Sequence, residues 1–388
     1  MGGIVFTGIR AWRASFRLRL PFSHHLATRD RVATLILELK TSGGGVGYGQ
    51  ALPRSYLTGE DLESVLGSIR EAYWPALKKT AFPKNAGWED CLSLLAPLYR
   101  EAAAGKRTAA YAAVDLAALA ALASEQGKPL SPPALAGGAG ERLPLVAVLP
   151  AIGPGKISWL VRIMLRLGYR RFKIKVGRDE KADNERLAAF RRAAGPGVRL
   201  SVDANGAWTR EGALRRREAF LRHGVGLVEE PLGREEAAGA DFARLERELG
   251  LPIMADESLC SRPDAERLLA RGSPSWWNLR FAKIGGFSGW SELSRLAGEN
   301  GIKIYGGILV GETSLLAAAA RAIWPGSGAV CGEYGFPRIF LAGDPFRGGP
   351  GGFRGSWGRA PGRKPGLGVS VNPDRLARAG ELAWRDGE

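Results

Sequence analysis

Residues 171–177 read RFKIKVG, an apolar run with a lysine at alternate positions and a glycine at its end. Side chains of a strand alternate between its two faces, so Phe172, Ile174 and Val176 point one way and Lys173 and Lys175 the other. Two ammonium groups entering one interior are costly unless carboxylates compensate them. Three carboxylates follow, each where a short apolar run stops: Asp203 in LSVDANG (200–206), Glu229 in VGLVEEPL (225–232) and Asp256 in LPIMADES (251–258).

The three acids are spaced by 26 and 27 residues, about one strand, loop, helix and loop. Between the motifs lie KADNERLAAFRRAAG (181–195), TREGALRRREAFLRHG (209–224) and ADFARLERELG (240–250), with apolar positions at helical spacing and glycine after each last turn. A repeated βα unit makes the strands parallel, so their C-terminal ends share one face. Barrels assemble active sites on that face. Strand candidates fall at 145–151, 171–176, 199–204, 225–230, 252–256, 276–281, 302–308 and 329–334, and the expected architecture is α/β, a (β/α)8 TIM-like barrel with room for one modified unit.

Upstream, residues 1 to 60 alternate β-like runs such as RVATLILELKTS with the Gly-rich GGGVGYGQ, and 60–126 carry helical patterns. The reading is an α+β capping domain over 1–130, a Pro/Gly loop at 131–142, the barrel over 143–345, and a final segment, 346–388. That segment opens with a Gly/Pro/Arg-rich surface loop (347–366), and its β-like piece LGVSVNP (367–373) is expected to return to the capping domain.

A chain of 388 residues with 45% apolar content suits a barrel plus a smaller partner. Three scattered cysteines, Cys91, Cys260 and Cys331, form neither a zinc knuckle nor a disulfide framework, and no signal core opens the chain, so a cytoplasmic protein is expected. The longest apolar helix, 111–123, is short for a bilayer and carries Asp115, which argues against a membrane span. The net charge of +16 is dispersed over helix faces and the tail, which favours a solvated surface, or steering of anionic substrates, over a nucleic-acid partner.

Three carboxylates on neighbouring strand ends, without cysteine or histidine, make a hard oxygen site suited to Mg²⁺, with Mn²⁺ as a substitute. Burial, a second ammonium and a nearby cation all lower a lysine pKa and make it a usable general base. Metal plus lysine points to abstraction of a proton α to a carboxylate, with the oxygens of the resulting ene-diolate held by Mg²⁺. Of the three histidines, His223 ends a helix, while His24 and His25, in LPFSHHLATRD, are candidates for a loop over the barrel mouth or a plain surface loop.

FKIKVG, VDANGAW, VEEP, ADES and FAKIGG, in that order, resemble the enolase superfamily, specifically its muconate lactonizing enzyme subgroup of muconate cycloisomerases, o-succinylbenzoate synthases, dipeptide epimerases and N-acylamino acid racemases. GYGQALPRSYLTGED (47–61) resembles that subgroup's capping domain, and AAVDLAALAALASEQGKPL (112–130) its helix entering the barrel. The resemblance implies Asp203, Glu229 and Asp256 as Mg²⁺ ligands, Lys175 as the base on one face of the substrate, and Lys173 as its electrostatic support. Asn205, Glu230 and Glu257 would neighbour the metal, and Tyr56 and His24 would come from the capping domain toward the substrate. A homo-oligomer is also implied.

Two departures stand out. In WWNLRFAKIGG the subgroup's second lysine aligns with Arg280, and Lys283 lies three residues further on. Deprotonating an arginine at pH 7 costs at least ~7 kcal/mol, against about 4–5 kcal/mol for an ordinary lysine. After the eighth strand, where dipeptide epimerases carry Asp-x-Asp, the chain reads CGEYG (331–335), and GGILVGETS (306–314) adds Glu312 at the end of the seventh. The expected reaction is one-base lyase or cycloisomerase chemistry on a small carboxylate with Lys175 as acid and base. The alternatives are a racemase or epimerase of an amino-acid derivative using Lys175 and Lys283, and an inactive barrel that binds without turnover.

Overall fold

The computed structural model describes residues 2–24, 27–130, 143–324, 327–348, 356–357 and 364–387. The chain opens with an antiparallel meander, β1 (Phe6–His24), β2 (Ala27–Thr41) and β3 (Val46–Ala51). Leu35, Ile36 and Leu37 are consecutive and fully buried, so both faces of the central strand β2 are covered. The Gly-rich stretch has a packing cause. A Cβ on Gly47 or Gly49 would strike the main-chain carbonyl of Ala117 or Ala113, so strand positions two apart meet helix positions four apart.

Ala113 and Ala117 belong to the helix Thr108–Glu125, whose 18 residues extend past the apolar stretch read from sequence and are long and apolar enough to cross a membrane. Here 89% of it is buried inside the protein. Asp115, fully buried on this helix, accepts a hydrogen bond from the Phe287 amide at 2.6 Å, at the start of the barrel helix Gly286–Glu299. Gly286 adopts φ +71°, and a Cβ there would lie 2.5 Å from the Asp115 carboxylate, so the GG of FAKIGG is a point of close approach between cap and barrel.

Eight parallel strands follow: β4 (Leu143–Leu149), β5 (Arg171–Lys175), β6 (Arg199–Asp203), β7 (Val225–Glu229), β8 (Ile253–Ala255), β9 (Trp276–Arg280), β10 (Lys303–Gly307) and β11 (Ala329–Glu333). Each pairs with the next and β11 pairs with β4, which closes the barrel. Phe172 and Ile174 turn outward to the helix layer, where Phe172 meets Phe190 edge-on at 5.3 Å. Lys173 and Lys175 are left facing inward.

The end of the chain differs from the expectation. Residues 370–371 pair with Phe346–Arg347, so LGVSVNP does not join the capping sheet. The return is made by β12 (Leu341–Ala342) and β13 (Gly380–Gly387), both antiparallel to β1. The Pro/Gly loop 131–142 and most of the tail at 349–363 lie outside the described residues.

Candidate active site

Strand register sets the site. Lys175 pairs with Asp203 and Asp203 with Glu229, so three charged residues stand side by side where β5, β6 and β7 end. Glu229 pairs with Met254, and Asp256, two residues beyond, emerges on the same face just past β8. Asp203, Glu229 and Asp256 are all fully buried, and Lys173 and Lys175 nearly so. Buried charge must be paired, and it is.

Lys175 Nζ donates to Asp203 Oδ2 at 2.6 Å and to Asn205 Oδ1 at 2.7 Å. Lys173 Nζ donates to Glu229 Oε2 at 2.6 Å, pairs with Glu333, and lies 3.7 Å from Asp203. Burial alone would lower the Lys173 pKa, but Glu229, Glu333 and Asp203 outweigh it and hold the ammonium above the ordinary lysine range. Lys173 therefore stays charged. Burial would likewise raise the Asp203 pKa, and Lys175 and Lys173 overcome it and hold the carboxyl below the usual carboxylate range. Glu229 moves the other way, raised by burial and by Asp203.

The turns behind these acids are strained in a way the site uses. Asn205 (φ +46°) and Glu230 (φ +37°) take left-handed backbone directly after the strand ends, at a cost of roughly 1–3 kcal/mol each. The Glu230 carboxylate accepts from the Asp256 amide at 2.6 Å and from Ser258 Oγ at 3.0 Å, which fixes the loop carrying Asp256. Burial raises its pKa to about 7. Asn205 also donates to Glu257 at 3.0 Å, and burial, then Glu230, push Glu257 to about 8.

Arg280 ends β9 and pairs through Nη2 with Asp256 Oδ2, with Glu229 Oε1 at 3.5 Å. Asn278, two residues earlier on the same face, donates to that Glu229 oxygen at 2.7 Å. After Arg280 the chain turns helically, Lys283 N donating to Arg280 O at 2.9 Å. The turn aims Lys283 back into the protein, and its ammonium donates to Asp256 Oδ1 (2.8 Å), Asp256 O (2.7 Å) and Asn278 O (3.0 Å).

Above the strand ends lies a cavity of about 300 Å³ lined by Lys173, Lys175, Asn205, Glu257, Arg280, Glu312 and Glu333, with Arg54 and Tyr56 from the capping domain. Its remaining wall is largely apolar, including Leu18, Val148, Met164, Ile308, Leu309 and Phe336. Lys283 is not among its lining residues. A more open hollow of about 440 Å³, bordered by Arg19, Arg347 and Arg375, involves none of the barrel's strand-end acids. The side chain of His24, and all of His25, lie outside the described residues. His223 ends a helix and hydrogen-bonds Asn184 at 2.8 Å.

The three acids are linked through shared cations, and none of them lines the cavity itself. Lys173 Nζ reaches both Asp203 and Glu229, and Arg280 Nη2 reaches both Glu229 and Asp256. This hard donor set fits a divalent cation such as Mg²⁺. Among the described residues no three such side chains converge on one point as ligands; in the structure Lys173 and Arg280 are the partners of Glu229 and Asp256.

The expectation missed Arg54. Buried, it donates to Val310 O at 2.8 Å and borders the cavity, but nothing in ALPRSY marks it out. It also left the partner of Lys173 unassigned. Glu333 fills that place, held by Tyr305 Oη at 2.9 Å, and burial's upward pull on its pKa is overcome by Lys173 and Arg280.

A closed parallel barrel with buried lysines and acids at its strand ends has the groups that proton-abstraction chemistry needs. Residues 158–375 match the family model described as Enolase C-terminal domain-like, and the chain belongs to that family, within the muconate lactonizing enzyme subgroup of the enolase superfamily. It is 30% identical over 312 residues to a hydrophobic dipeptide epimerase of Enterococcus faecalis, covering 79% of this chain and 84% of that one. It is 32% identical over 211 residues to muconate cycloisomerase 1 of Pseudomonas putida, covering 54% and 55%. The crystal structure of a dipeptide epimerase from Enterococcus faecalis, complexed with Mg and L-Leu-L-Tyr, superposes with TM-score 0.80 at 25% identity, over 95% of this chain and 99% of that one.

Proposed function

We propose that the protein carries out one-base chemistry on a small, largely apolar carboxylate, with Lys175 removing the α-proton and passing it to the departing group in a lyase-type elimination, or delivering a proton to the α-carbon as the ring closes in a cycloisomerisation. The observation that carries this reading is Arg280. By its resemblance to the subgroup, position 280 is where a two-base racemase would carry its second lysine, and here it holds a permanent cation whose guanidinium rests on Asp256. Arg280 instead offers a fork for a substrate carboxylate or for developing negative charge.

Mg²⁺, present in the related epimerase structure, would be held here by Asp203, Glu229 and Asp256 and would supply positive charge to offset the negative charge that builds on a carboxylate losing its α-proton. The protein's own groups do the rest. Lys173, kept charged by Glu229 and Glu333, adds a fixed positive charge beside the reacting centre. Asn205 orients the Lys175 amine, and the apolar wall excludes water.

The epimerase reading draws support from the relatives. Against it, Glu333, at the end of β11, is committed to Lys173 and Tyr305, which disfavours an ammonium-bearing dipeptide, and Lys283 has no side on the cavity. Incubating the Mg²⁺-loaded protein in D2O with a panel of apolar carboxylates tests the proposal by NMR. Either α-proton exchange with retained configuration or elimination, lost in Lys175→Ala, is expected. Exchange into both configurations that depends on Lys283 would sink it.

A further inference from the structure

We infer that Arg280 is a tethered cation of the acid cluster, one that must leave Asp256 before a divalent ion can bind and that then turns into the cavity to receive a substrate anion. The inference rests on the metal assignment proposed above. Each of the three acids already has a cationic partner: Lys175 on Asp203, Lys173 on Glu229, and Arg280 on Asp256. The first two are lysines, compact charges on flexible stems. The third is a larger planar group, and it reaches across to both Asp256 and Glu229.

The fold makes room for that reach. Arg280 pairs in register with Gly307 of the next strand, and a Cβ on Gly307 would lie 2.8 Å from Arg280 Cγ, so the long stem passes over a glycine. The guanidinium uses its donors incompletely for a buried group: it engages the acids through Nη2, and Nε is buried without a hydrogen-bond partner. Asp256 Oδ1 is secured separately by Lys283, so the carboxylate keeps its place when Oδ2 is released. Arg280 also lines the cavity, as do Glu312 and Glu333, so the released group has somewhere to go.

A divalent ion and a guanidinium cannot share Asp256 Oδ2 in a site this dry, because like charges a few ångströms apart repel strongly there. Metal binding and the outward turn of Arg280 are then one event, and a guanidinium turned into the cavity favours an anionic ligand. By linkage, metal strengthens carboxylate binding and carboxylate strengthens metal binding by the same factor.

The test is calorimetric titration of Mg²⁺ into chelator-stripped wild type, Arg280→Lys and Arg280→Met at fixed ionic strength without substrate, with melting curves confirming that each is folded. Both variants should bind Mg²⁺ about tenfold more tightly than wild type, within the usual range for coupled sites. Equal affinity in all three overturns the inference and leaves the metal assignment standing. Tighter binding by Arg280→Met alone, with Arg280→Lys like wild type, also overturns it, since a general field effect then suffices. No binding by any of the three removes the metal assignment and the inference with it. Crystal structures of wild type with and without Mg²⁺ need no variant: Arg280 Nη2 should leave Asp256 in the loaded form, and an unmoved pair beside bound Mg²⁺ would refute the proposal.

Discussion

Lys283 holds Asp256 at both ends, donating to its carboxylate at 2.8 Å and to its main-chain carbonyl at 2.7 Å. Burial lowers the Lys283 pKa to about 8, a value that on its own would suit a general base. Geometry decides otherwise: the side chain is fully buried and its three donors are occupied. Lys283→Met should therefore act on stability, leaving a buried carboxylate short of a partner and lowering the unfolding free energy by about 3–5 kcal/mol in urea titrations. A normally stable variant with only its turnover lost would return Lys283 to the chemistry.

Arg280→Lys should change stereochemistry. The substitution keeps the charge but replaces a group that costs at least ~7 kcal/mol to deprotonate at pH 7 with one that costs about 4–5 kcal/mol before the site acts on it. A second base then faces the substrate from β9. On any substrate that wild type exchanges in one configuration, the variant should accumulate both, measured by chiral chromatography after incubation in D2O. Retention of a single configuration would mean that position 280 does not face the α-carbon.

Much of this site is legible in the chain because it obeys strand periodicity. Lys173 and Lys175 alternate with Phe172 and Ile174, and the acids recur at the pitch of a βα unit, so local rules place them all on one rim. What stays hidden depends on closure and on the cap. Glu333 reaches Lys173 only because β11 pairs with β4 at the seam, and Arg54 reaches Val310 across 256 residues of sequence. The return strand Gly380–Gly387 is similar: its pairing with β1 joins opposite ends of the chain, and LGVSVNP carries the more obvious β pattern. Lys283 shows a subtler limit, since sequence allows a helical turn after Phe281 without giving its direction.

The capping domain grips the rim through Gln50, which is fully buried on β3. Its amide nitrogen donates to Gly311 O and Thr34 Oγ1, each at 3.1 Å, and its oxygen accepts from Thr313 N at 3.0 Å and Thr313 Oγ1 at 2.8 Å. Gln50→Leu keeps the volume but leaves several buried groups unpaired, at roughly 1–3 kcal/mol each. We expect a clear fall in melting temperature and faster amide exchange over 309–313, read by mass spectrometry, while β5 and β6 keep their protection. Unchanged exchange in that loop would show that the cap does not position it.

Glu312, carried on the loop that Gln50 holds, gives the protein a pH dependence of definite sign. Its carboxyl is buried, and burial raises its pKa from 4.5 to about 8, against the opposing effects of the Leu309 amide and Arg280. An acid whose folded pKa lies above its unfolded one favours folding while it is protonated, and that advantage is lost as pH rises from the unfolded value through the folded one. Between pH 5 and pH 8 the contribution of Glu312 should therefore fall by a few kcal/mol, on the order set by ~1.36 kcal/mol per unit. Glu312→Gln, uncharged throughout, should lose less stability than wild type over the same range in parallel urea titrations. If the two proteins lose stability equally, Glu312 does not change charge between pH 5 and pH 8 in the folded state, and its carboxyl meets the cavity already ionised.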